Sequence, residues 1–541
     1  MQIVHIGDGS TPRVSAETVG VKAANLARMA ALGLPVPPAF VLPVELCAAI
    51  VAGDPGAEQN LADGLREGIA FLETVSSKRF GDRRRPLLVS VRSGAAQSMP
   101  GMLDTVLDVG CTAAAVRGLV RMTGNPRFAW DCRQRFLEGY AAIVAGIDPA
   151  PLTVRRREMM GEEGVDDGRQ LDGEALERLA ADYRGLLGND GPPDEPMAQL
   201  TSAARAVYRS WMSERAQTYR RLQHLEHLQG TAVTVQAMVF GNCGDSSAAG
   251  VAFSRDPSTG AAQPVIEVLF EAQGEDVVAG RHTPDTEAAL ARTLPTIATQ
   301  LRDVLAQLER EFGDVQDVEF TIEDGRLYIL QTRTAKRTPR AALRIAIDLV
   351  HEGLITPPQA LRRLDGIELG ALTHYRLLET HDPIARGVGA SSGVASGRAA
   401  FDSAGAKRLS DSGDPVILVR PDTNTADVAG FAVSAGIVTV VGGRTAHAAL
   451  VARQMGKPCV VGCDQTTVDV VGRRAQFATA AVAEGEWILI DGDSGQVYLG
   501  RRKVVAERPE DELAEVERWR QSATPDTRCI RLDEATRLPL P

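Results

Sequence analysis

The sequence has little lysine, few aromatic residues and no long apolar run. Only six of its 59 basic residues are lysines, and aromatic residues make up 4% of the 541 positions. No apolar run reaches the roughly 18 residues that a membrane-spanning helix needs, and the first residues lack the basic and apolar segments of a secretory signal. A net charge of -11 argues against a general nucleic-acid or anionic-membrane surface. We therefore predict a cytoplasmic protein that binds neither nucleic acid nor membrane.

The sequence also lacks a regular pairing pattern among its cysteines. The seven cysteines are odd in number and scattered, without a CxxC pair, so a disulfide framework and a cysteine zinc site are both disfavoured. A reduced cytosolic chain is the simplest interpretation. Its length predicts two to four domains with sizeable cores.

The first candidate site lies in the N-terminal third. A helix predicted over residues 22–32 begins with Lys22, just after Gly20, where a lysine can reach a phosphate held at the helix start. A buried strand over residues 87–92 ends at Arg92, whose guanidinium can bind phosphate oxygens in a fork. A loop of small residues follows it. An exposed surface lysine remains the alternative for Lys22, and the loop alone is weak evidence.

A hairpin over residues 315–334 carries the second candidate site. Asp317 and Glu319 alternate with apolar residues, so both carboxylates point away from the core. A two-residue Asp-Gly loop would pair Glu319 with a leucine, whereas a three-residue loop pairs Glu319 with Gln331 and Asp317 with Arg333. We predict the three-residue loop, because it gathers oxygen ligands for Mg²⁺ beside an arginine for phosphate. A solvated hairpin face with a cross-strand charge pair is the alternative.

The third candidate site is a histidine at a helix start. Residues 436–441 are predicted as a buried strand, two glycines follow, and residues 446–455 are predicted as a helix. His447 therefore lies in the first helical turn, with Thr445 as a possible N-cap. The helix dipole favours a negatively charged group there and disfavours imidazolium, as a phosphate-accepting nucleophile requires. A capping or packing histidine in a βα turn is the alternative.

Six segments, in order, resemble the pyruvate, phosphate dikinase family within the larger group of PEP-utilising enzymes. The resemblance runs from about residue 15 to about residue 505, and the Ser-Met-Pro-Gly-Met loop favours the dikinases over the synthases. The segments that carry it are 89–102, 235–242, 253–260, 272–280, 317–333 and the stretch around His447.

The resemblance implies a multidomain fold of the α/β and α+β classes. It implies an ATP-grasp nucleotide-binding region over residues 1–340 with a helical insert at about 112–229, and a helical linker over 341–382. A swivelling α/β phosphohistidine domain over 383–505 and a charged tail over 506–541 complete the expected organisation.

The resemblance also implies roles for individual residues. His447 is expected to be phosphorylated, with Arg444 and Thr445 beside it, and Mg²⁺ is expected at Asp317, Glu319 and Gln331. Gln236 and Met238 are expected on the strand that borders adenine, and Glu275 near the ribose or base. The full set expected at ATP is Lys22, Arg92, Gly101, Gln236, Met238, Glu275, Glu319, Gln331 and Arg333.

The implied reaction uses ATP and phosphate. ATP gives its β,γ-diphosphoryl group to His447 and AMP leaves; phosphate takes the terminal phosphoryl group as pyrophosphate; phosphohistidine then passes its group to pyruvate, giving PEP. Only 36 residues follow residue 505, whereas a pyruvate-binding barrel needs about 250. We therefore expect the acceptor site on a separate protein, so that the chain resembles the first two domains of a dikinase.

Two local departures from the family bear on the site. The run from Gly20 to Ala24 has fewer glycines than expected, which predicts a stiffer loop. Arg444 replaces the usual methionine of dikinases and is typical of synthases; it could hold a phosphoryl group. Thr445 matches a regulatory phosphorylation site of some members, although a capping role is the simpler interpretation.

Two further hypotheses remain open. One keeps the phosphohistidine but transfers it to another small molecule or to a protein. The other is a non-catalytic ATP-binding regulatory module. The retention of six residues argues against decay to such a module: Lys22, Arg92, Glu319, Gln331, Arg333 and His447.

Overall fold

The computed structural model of the chain describes residues 3–9, 14–97, 99, 102–278, 282–378, 382–422 and 427–523. The expected ATP-site residue Gly101 lies outside them. The described residues form two units joined by helices: a first unit up to residue 334 and a second unit from residue 382. The α/β fold with an ATP-grasp region, helical insert, linker and second α/β domain is confirmed, while the exact domain boundaries stay predictions.

Two five-stranded sheets form the frame of the first unit. One has the strand order β1-β2-β7-β5-β6 and the other β10-β9-β8-β11-β12, and β3 pairs with β4. The strands are β1 (Val4–Ile6), β2 (Ala39–Leu42), β3 (Arg79–Phe80), β4 (Pro86–Leu87), β5 (Val89–Gly94), β6 (Thr105–Val109), β7 (Ala232–Ala237), β8 (Ala248–Phe253), β9 (Val265–Phe270), β10 (Asp285–Thr286), β11 (Gln316–Glu323) and β12 (Arg326–Thr334).

Helices surround these sheets, and six of them, α4 to α9, lie between β6 and β7 where the helical insert was expected. Apolar residues of α1 and α12 pack against the second sheet in one core. The helices are α1 (Ala16–Ala31), α2 (Leu46–Ala52), α3 (Pro55–Ser76), α4 (Ala113–Thr123), α5 (Pro126–Gly139), α6 (Ala150–Glu163), α7 (Gly173–Leu187), α8 (Pro196–Arg209), α9 (Glu214–Leu222), α10 (Gly274–Val278), α11 (Glu287–Thr293) and α12 (Pro295–Phe312).

A break in α1 positions Lys22. Gly20 interrupts the helix with φ 78° and ψ 155°, and a Cβ there would lie 2.1 Å from the carbonyl oxygen of Gly94. Such a φ and such a close approach both require glycine. The next residue, Val21, donates its N–H to the Ala95 carbonyl at 2.9 Å. Lys22 therefore starts a helical segment beside the end of β5, where Arg92 lies.

The hairpin of β11 and β12 has the predicted pairs but not the predicted turn. Glu319 pairs with Gln331 and Asp317 with Arg333, as expected. The three-residue loop is wrong, because Glu323 pairs with Arg326 across a two-residue turn. A β-bulge supplies the extra residue instead: Glu319 pairs with Gln331 but the next residue, Phe320, pairs with Ile329. The bulge shifts the alternation of side chains along β12 by one position.

Two helices, α13 (Pro339–His351) and α14 (Pro357–Arg363), connect the units. The strands that follow are β13 (His374–Leu377), β14 (Ala385–Arg386), β15 (Val388–Ser391), β16 (Val394–Ala400), β17 (Val416–Arg420), β18 (Gly436–Thr439), β19 (Cys459–Val461), β20 (Thr467–Asp469), β21 (Arg474–Gln476), β22 (Ala481–Ala483), β23 (Trp487–Asp491), β24 (Gln496–Leu499) and β25 (Val504–Glu507), and the helices are α15 (Ser403–Asp411), α16 (Val428–Val433), α17 (His447–Gln454) and α18 (Glu510–Ala523).

An eight-stranded sheet forms the centre of the second unit, with the order β14-β24-β23-β16-β17-β18-β19-β15. Its middle strands β16, β17, β18 and β19 pair in parallel, and α17 connects β18 to β19. His447 is the first residue of α17. It therefore lies at the carboxyl edge of the parallel strands, where functional groups of open α/β sheets collect.

The segment that leads into the second unit lies beside the segment that leaves it. β13 pairs with β25 in an antiparallel ribbon, and α18 then packs against α13 and α14 through Val516 and Trp519. Residues 510–523 of the predicted charged tail are thus part of the linker core. None of the helices in the described part of the chain is long and apolar enough to span a membrane.

Candidate functional site

A cavity of about 370 Å³ in the first unit draws on both of its sheets and on α1. Apolar side chains such as Met99, Leu107 and Val251 form part of its wall, which suits a flat base. Of the residues expected at ATP, eight line this cavity: Lys22, Arg92, Gln236, Met238, Glu275, Glu319, Gln331 and Arg333. Segments more than 300 residues apart in sequence therefore meet at this cavity, and the roles of these residues stay predictions.

Lys22 lies among other charges in this cavity. Burial, together with the nearby Arg92 and Arg333, lowers the pKa of its ammonium group to about 8, and Glu319 opposes the shift. Lys22, Arg92 and Arg333 lie beside the carboxylates of Glu319 and Asp317, so the group carries one more positive than negative charge. Such a cluster favours a polyanion, and phosphates would restore the charged form of the lysine.

Arg92 is held by two partners. Its Nη1 donates to Oε1 of Gln236 at 3.4 Å, and its Nη2 lies 3.8 Å from Oε2 of Glu319. The buried Gln236 amide in turn donates to the carbonyl of Pro37 at 3.1 Å. The side chain of Gln236 therefore orients Arg92. The sequence predicted only that Gln236 lies on the strand beside adenine and did not predict this second role.

The predicted metal ligands lie on one face of the hairpin, together with Arg333. Arg333 Nε donates to Asp317 Oδ2 at 2.8 Å, while Arg333 Nη2 lies 4.0 Å from Glu319 Oε1. Asp317 is 2% exposed, and its Oδ1 is buried without a hydrogen-bond partner among the described residues. Burial raises the pKa of this carboxyl, and Arg333 opposes the rise.

These donors fit a magnesium ion. Asp317, Glu319 and Gln331 offer hard oxygens from neighbouring hairpin positions, and the unpartnered Oδ1 is a free ligand atom. In the described part of the chain no cluster of three or more acidic, histidine or cysteine residues forms a complete cage. Mg²⁺ commonly takes only one or two carboxylates and completes its shell with water and substrate phosphates, so the small donor set is compatible with it.

Glu275 lines the cavity but is engaged by the helical insert. Arg135 on α5 donates to Glu275 at 2.7 Å and to Asp276 at 2.8 Å, and it also bonds Asp131 at 3.0 Å. The insert thus holds α10, which carries Glu275, at the cavity wall. No local pattern around Arg135 indicated this role.

His447 is a half-buried imidazole at the start of α17. Burial lowers its pKa, opposed by the Asp427 carboxylate, so desolvation favours the expected neutral form. Its Nε2 is buried without a hydrogen-bond partner among the described residues. The predicted cap is wrong, because Ala446 is the N-cap and no side chain caps the helix.

The Thr445 hydroxyl bonds across the interface between the units instead. Glu267 of β9 accepts hydrogen bonds from the Thr445 hydroxyl at 2.7 Å and from the Thr445 N–H at 2.9 Å, and also from the Arg444 N–H. The Arg444 guanidinium lies 3.6 Å from Asp256 and donates to the Gly389 carbonyl at 3.0 Å. The loop before His447 is therefore docked on the first unit.

Cross-strand pairing relates this docking point to the cavity. Gln331 pairs with Glu319, Glu319 with Val251, and Val251 with Glu267, so these side chains share one face of the sheet. Glu267 lies two strands from Glu319, about 10 Å away at the usual spacing. The sequence did offer a signal for Glu267, which is the one charged residue in the apolar strand β9.

The architecture and the cavity point to one kind of protein. An ATP-grasp unit with a cationic cavity is joined by helices to an α/β domain whose loop before a helix-start histidine docks on the same sheet face. Two family models match in the same order: the AMP/ATP-binding domain of pyruvate phosphate dikinase over residues 57–299 and 294–353, and the mobile domain of PEP-utilising enzymes over residues 413–495. The chain belongs to the pyruvate, phosphate dikinase family.

Curated relatives agree with this assignment. The chain is 42% identical to the pyruvate, phosphate dikinase of Clostridium symbiosum over 89% of its own length and 56% of that protein. It is 41% identical to that of Rhizobium meliloti (strain 1021), covering 93% of the chain and 58% of the relative. It is 40% identical to the chloroplastic pyruvate, phosphate dikinase 1 of Arabidopsis thaliana, covering 90% of the chain and 51% of that relative. The chain thus spans a little over half the length of the relatives it matches.

A solved structure of Enzyme I, determined by NMR in solution, overlaps weakly. It covers 34% of this chain and 59% of its own, at 19% identity and a TM-score of 0.13. That score is too low to bear on the fold.

Proposed function

We propose that the chain is an ATP-dependent phosphotransferase of dikinase type that phosphorylates its own His447. The observation that carries the proposal is the docking of the His447 loop through Glu267, on the sheet face that also lines the cationic cavity. A nucleotide in the cavity and the histidine can then approach each other without further rearrangement of the sheet.

In this proposal each residue of the site has a role. Lys22, Arg92 and Arg333 bind the triphosphate, the apolar wall receives the base, and Asp317, Glu319 and Gln331 hold Mg²⁺, which supplies charge neutralisation at the phosphates. His447 Nε2 attacks the β-phosphorus, the bond from that phosphorus to the AMP oxygen breaks, and AMP leaves. Phosphate then takes the terminal phosphoryl group as pyrophosphate. Burial keeps the imidazole unprotonated before attack.

We further propose that the phosphorylated domain is a carrier. It comprises residues 383–505, moves relative to the ATP region of residues 1–340, and uses residues 341–382 as its linker. The antiparallel ribbon and the cluster of α13, α14 and α18 at the crossing support a pivot at this place. The relatives that the chain matches are named pyruvate, phosphate dikinases, so pyruvate is the proposed acceptor, at a site on another chain.

The decisive experiment omits pyruvate. The purified chain is incubated with Mg²⁺ and ATP labelled at the β-phosphate, with and without inorganic phosphate. AMP release and an acid-labile label on the protein, both lost in His447→Ala and kept in the exposed-histidine control His227→Ala, are the expected results.

The same assay separates the hypotheses. Absence of both AMP and label under all conditions would contradict the proposal and favour the regulatory module. When pyruvate is added, PEP made by the chain alone would contradict a separate acceptor site. Label that leaves the protein only when another acceptor is supplied would identify a different transferase.

A further inference from the structure

Arg453 is a fully buried arginine at the interface between the two units. It lies on α17, six residues after His447, and is 0% exposed. Its Nη1 donates to the Ala390 carbonyl at 2.9 Å, and its guanidinium carbon lies 5.5 Å from the ring centre of Phe253 in the first unit. A buried arginine on a domain that is proposed to move needs an explanation, because burying its charge is costly.

In the described part of the chain, buried polar atoms without hydrogen-bond partners lie on both sides of this interface. Nε and Nη2 of Arg453 find no hydrogen-bond acceptor among the described residues, and Oδ1 of Asp317 finds no donor there. Phe253, over which Arg453 lies, is the cross-strand partner of Asp317, so the two side chains share one face of the sheet. The arginine therefore lies beside the metal side of the cavity.

The charges around Arg453 come from the first unit. Burial lowers the pKa of the guanidinium, and the carboxylates of Asp317, Glu267 and Asp256 oppose this shift, Asp317 most strongly. Because these acids and Phe253 all belong to the other unit, the arginine has its compensating charges only while the units are docked. Without docking it would regain water instead.

We propose that Arg453 is a positioning residue that couples the docking of the His447 domain to the negative charge of Asp317. In the chain without Mg²⁺ and nucleotide, the metal-side carboxylate attracts the arginine that follows His447 on α17, and this attraction favours the docked arrangement. The proposal deepens the proposed function, since it regulates access to the same site, but docking itself requires no phosphoryl transfer.

Amide hydrogen exchange gives a readout of docking that is independent of activity. The N–H groups of Arg444 and Thr445 donate to Glu267 of the first unit, so their exchange accelerates when the second unit undocks. In the full chain without nucleotide, we expect about tenfold faster exchange of these two amides in Arg453→Met, the loss expected for a charge-assisted contact. Arg453→Lys, which keeps the charge, should restore part of the protection.

The partner on the first unit provides the coupling test. Asp317→Asn keeps the shape and removes the charge, and it should accelerate exchange of the same amides by a similar factor. The double variant should be no faster than either single variant, because both remove one interaction. Unchanged exchange in the single variants, or multiplied effects in the double variant, would overturn the proposal.

Exchange in the core of the second unit separates undocking from unfolding. Amides of β17 and β18 should keep their protection in every variant. If Arg453→Met loses that protection, the variant is unfolded and only Asp317→Asn tests the proposal. Faster exchange at Arg444 and Thr445 in Asp317→Asn then supports the proposal, and unchanged exchange contradicts it. A chain that shows the expected exchange but never forms phosphohistidine would refute the proposed function and leave the coupling intact.

Discussion

At the scale of single residues, the site combines groups whose properties depend on burial. The Lys22 ammonium loses affinity for its proton because it is desolvated beside two arginines. Burial likewise lowers the pKa of the His447 imidazole. Desolvation therefore favours the neutral, nucleophilic imidazole, whereas it weakens the charge of Lys22 until a bound phosphate restores it.

The depressed pKa of Lys22 predicts a pH dependence of nucleotide binding. Below about pH 8 the lysine is protonated and attracts phosphate; above that pH it is neutral in the free chain, so ATP affinity should fall by up to about tenfold per pH unit. Lys22→Arg, which stays charged, should bind with little pH dependence. Calorimetry in two buffers of different ionisation enthalpy near pH 8.5 should detect proton uptake in the wild-type chain only. Equal uptake in both proteins would assign the proton to another group.

Glu267 is predicted to control phosphorylation without contacting ATP. Its carboxylate accepts three hydrogen bonds from Arg444 and Thr445, and Glu267→Gln weakens these by removing their charge. We expect His447 labelling about tenfold slower with unchanged ATP affinity, and no effect from Glu226→Gln at an exposed position. Weaker ATP binding in Glu267→Gln would show instead that the residue belongs to the nucleotide site.

At the scale of elements, two backbone irregularities aim the side chains. The break at Gly20 sets the start of the helical segment that carries Lys22, and the bulge in the hairpin brings Gln331 and Arg333 to the face of Asp317 and Glu319. Without the bulge, Gln331 would share the face of the core residues Leu327 and Ile329, because side chains alternate along a strand. Irregular backbone at a site is thus part of how the site is built.

Gly20→Ala tests the first irregularity. The added Cβ would meet the Gly94 carbonyl at 2.1 Å in a left-handed conformation, so we expect a loss of about 2–4 kcal/mol in the free energy of unfolding together with weaker ATP binding. Gly161→Ala, in the last turn of α6 with nothing near its Cβ position, should be neutral or stabilising by up to about 1 kcal/mol. Denaturant titration and nucleotide titration of both variants provide the measurement. A Gly20→Ala chain as stable as the wild type would contradict the close approach.

At the scale of the whole molecule, the interface between the units is polar. Ser258 donates to the Ala390 carbonyl at 2.8 Å, and Ser392 donates to the Ser258 carbonyl at 2.9 Å, beside the bonds of Glu267 and Arg453. Polar groups can exchange protein partners for water when the units separate, whereas a large apolar interface would aggregate or stay closed. The segment over residues 253–260, which supplied family resemblance without a role, forms much of this interface.

The C-terminal helix is predicted to stabilise the linker rather than to be a dispensable tail. Val516 of α18 is 1% exposed against α13 and α14, so Val516→Ala should lower the free energy of unfolding by about 1–2 kcal/mol. Val471→Ala, at a position 95% exposed, should change it by less than about 0.5 kcal/mol. Thermal unfolding of both variants tests this, and equal stability would show that α18 adds nothing to the linker core.

Periodicity and turn chemistry were enough to place the local features of this protein. Alternation in the hairpin put Asp317 and Glu319 on one face, and a strand, two glycines and a helix put His447 at a helix start. These features depend on periodicity and turn chemistry within about 20 residues, which a single sequence displays. The turn of the hairpin was mistaken because a bulge and a longer loop give the same pairing of Glu319 with Gln331, and periodicity does not distinguish them.

How these parts meet depends on the tertiary fold. Thr445 bonds Glu267 across 178 positions of sequence, Arg135 holds Glu275 across 140, and Arg453 lies over Phe253 of the other unit. For contacts of this kind, a local pattern can single out a residue such as Glu267, but it does not identify the partner, because each partner satisfies its own strand or helix equally well without the other. Their free energy appears only when folding removes water from both groups at once, and that is why the docked place of His447 followed from the fold and not from the sequence.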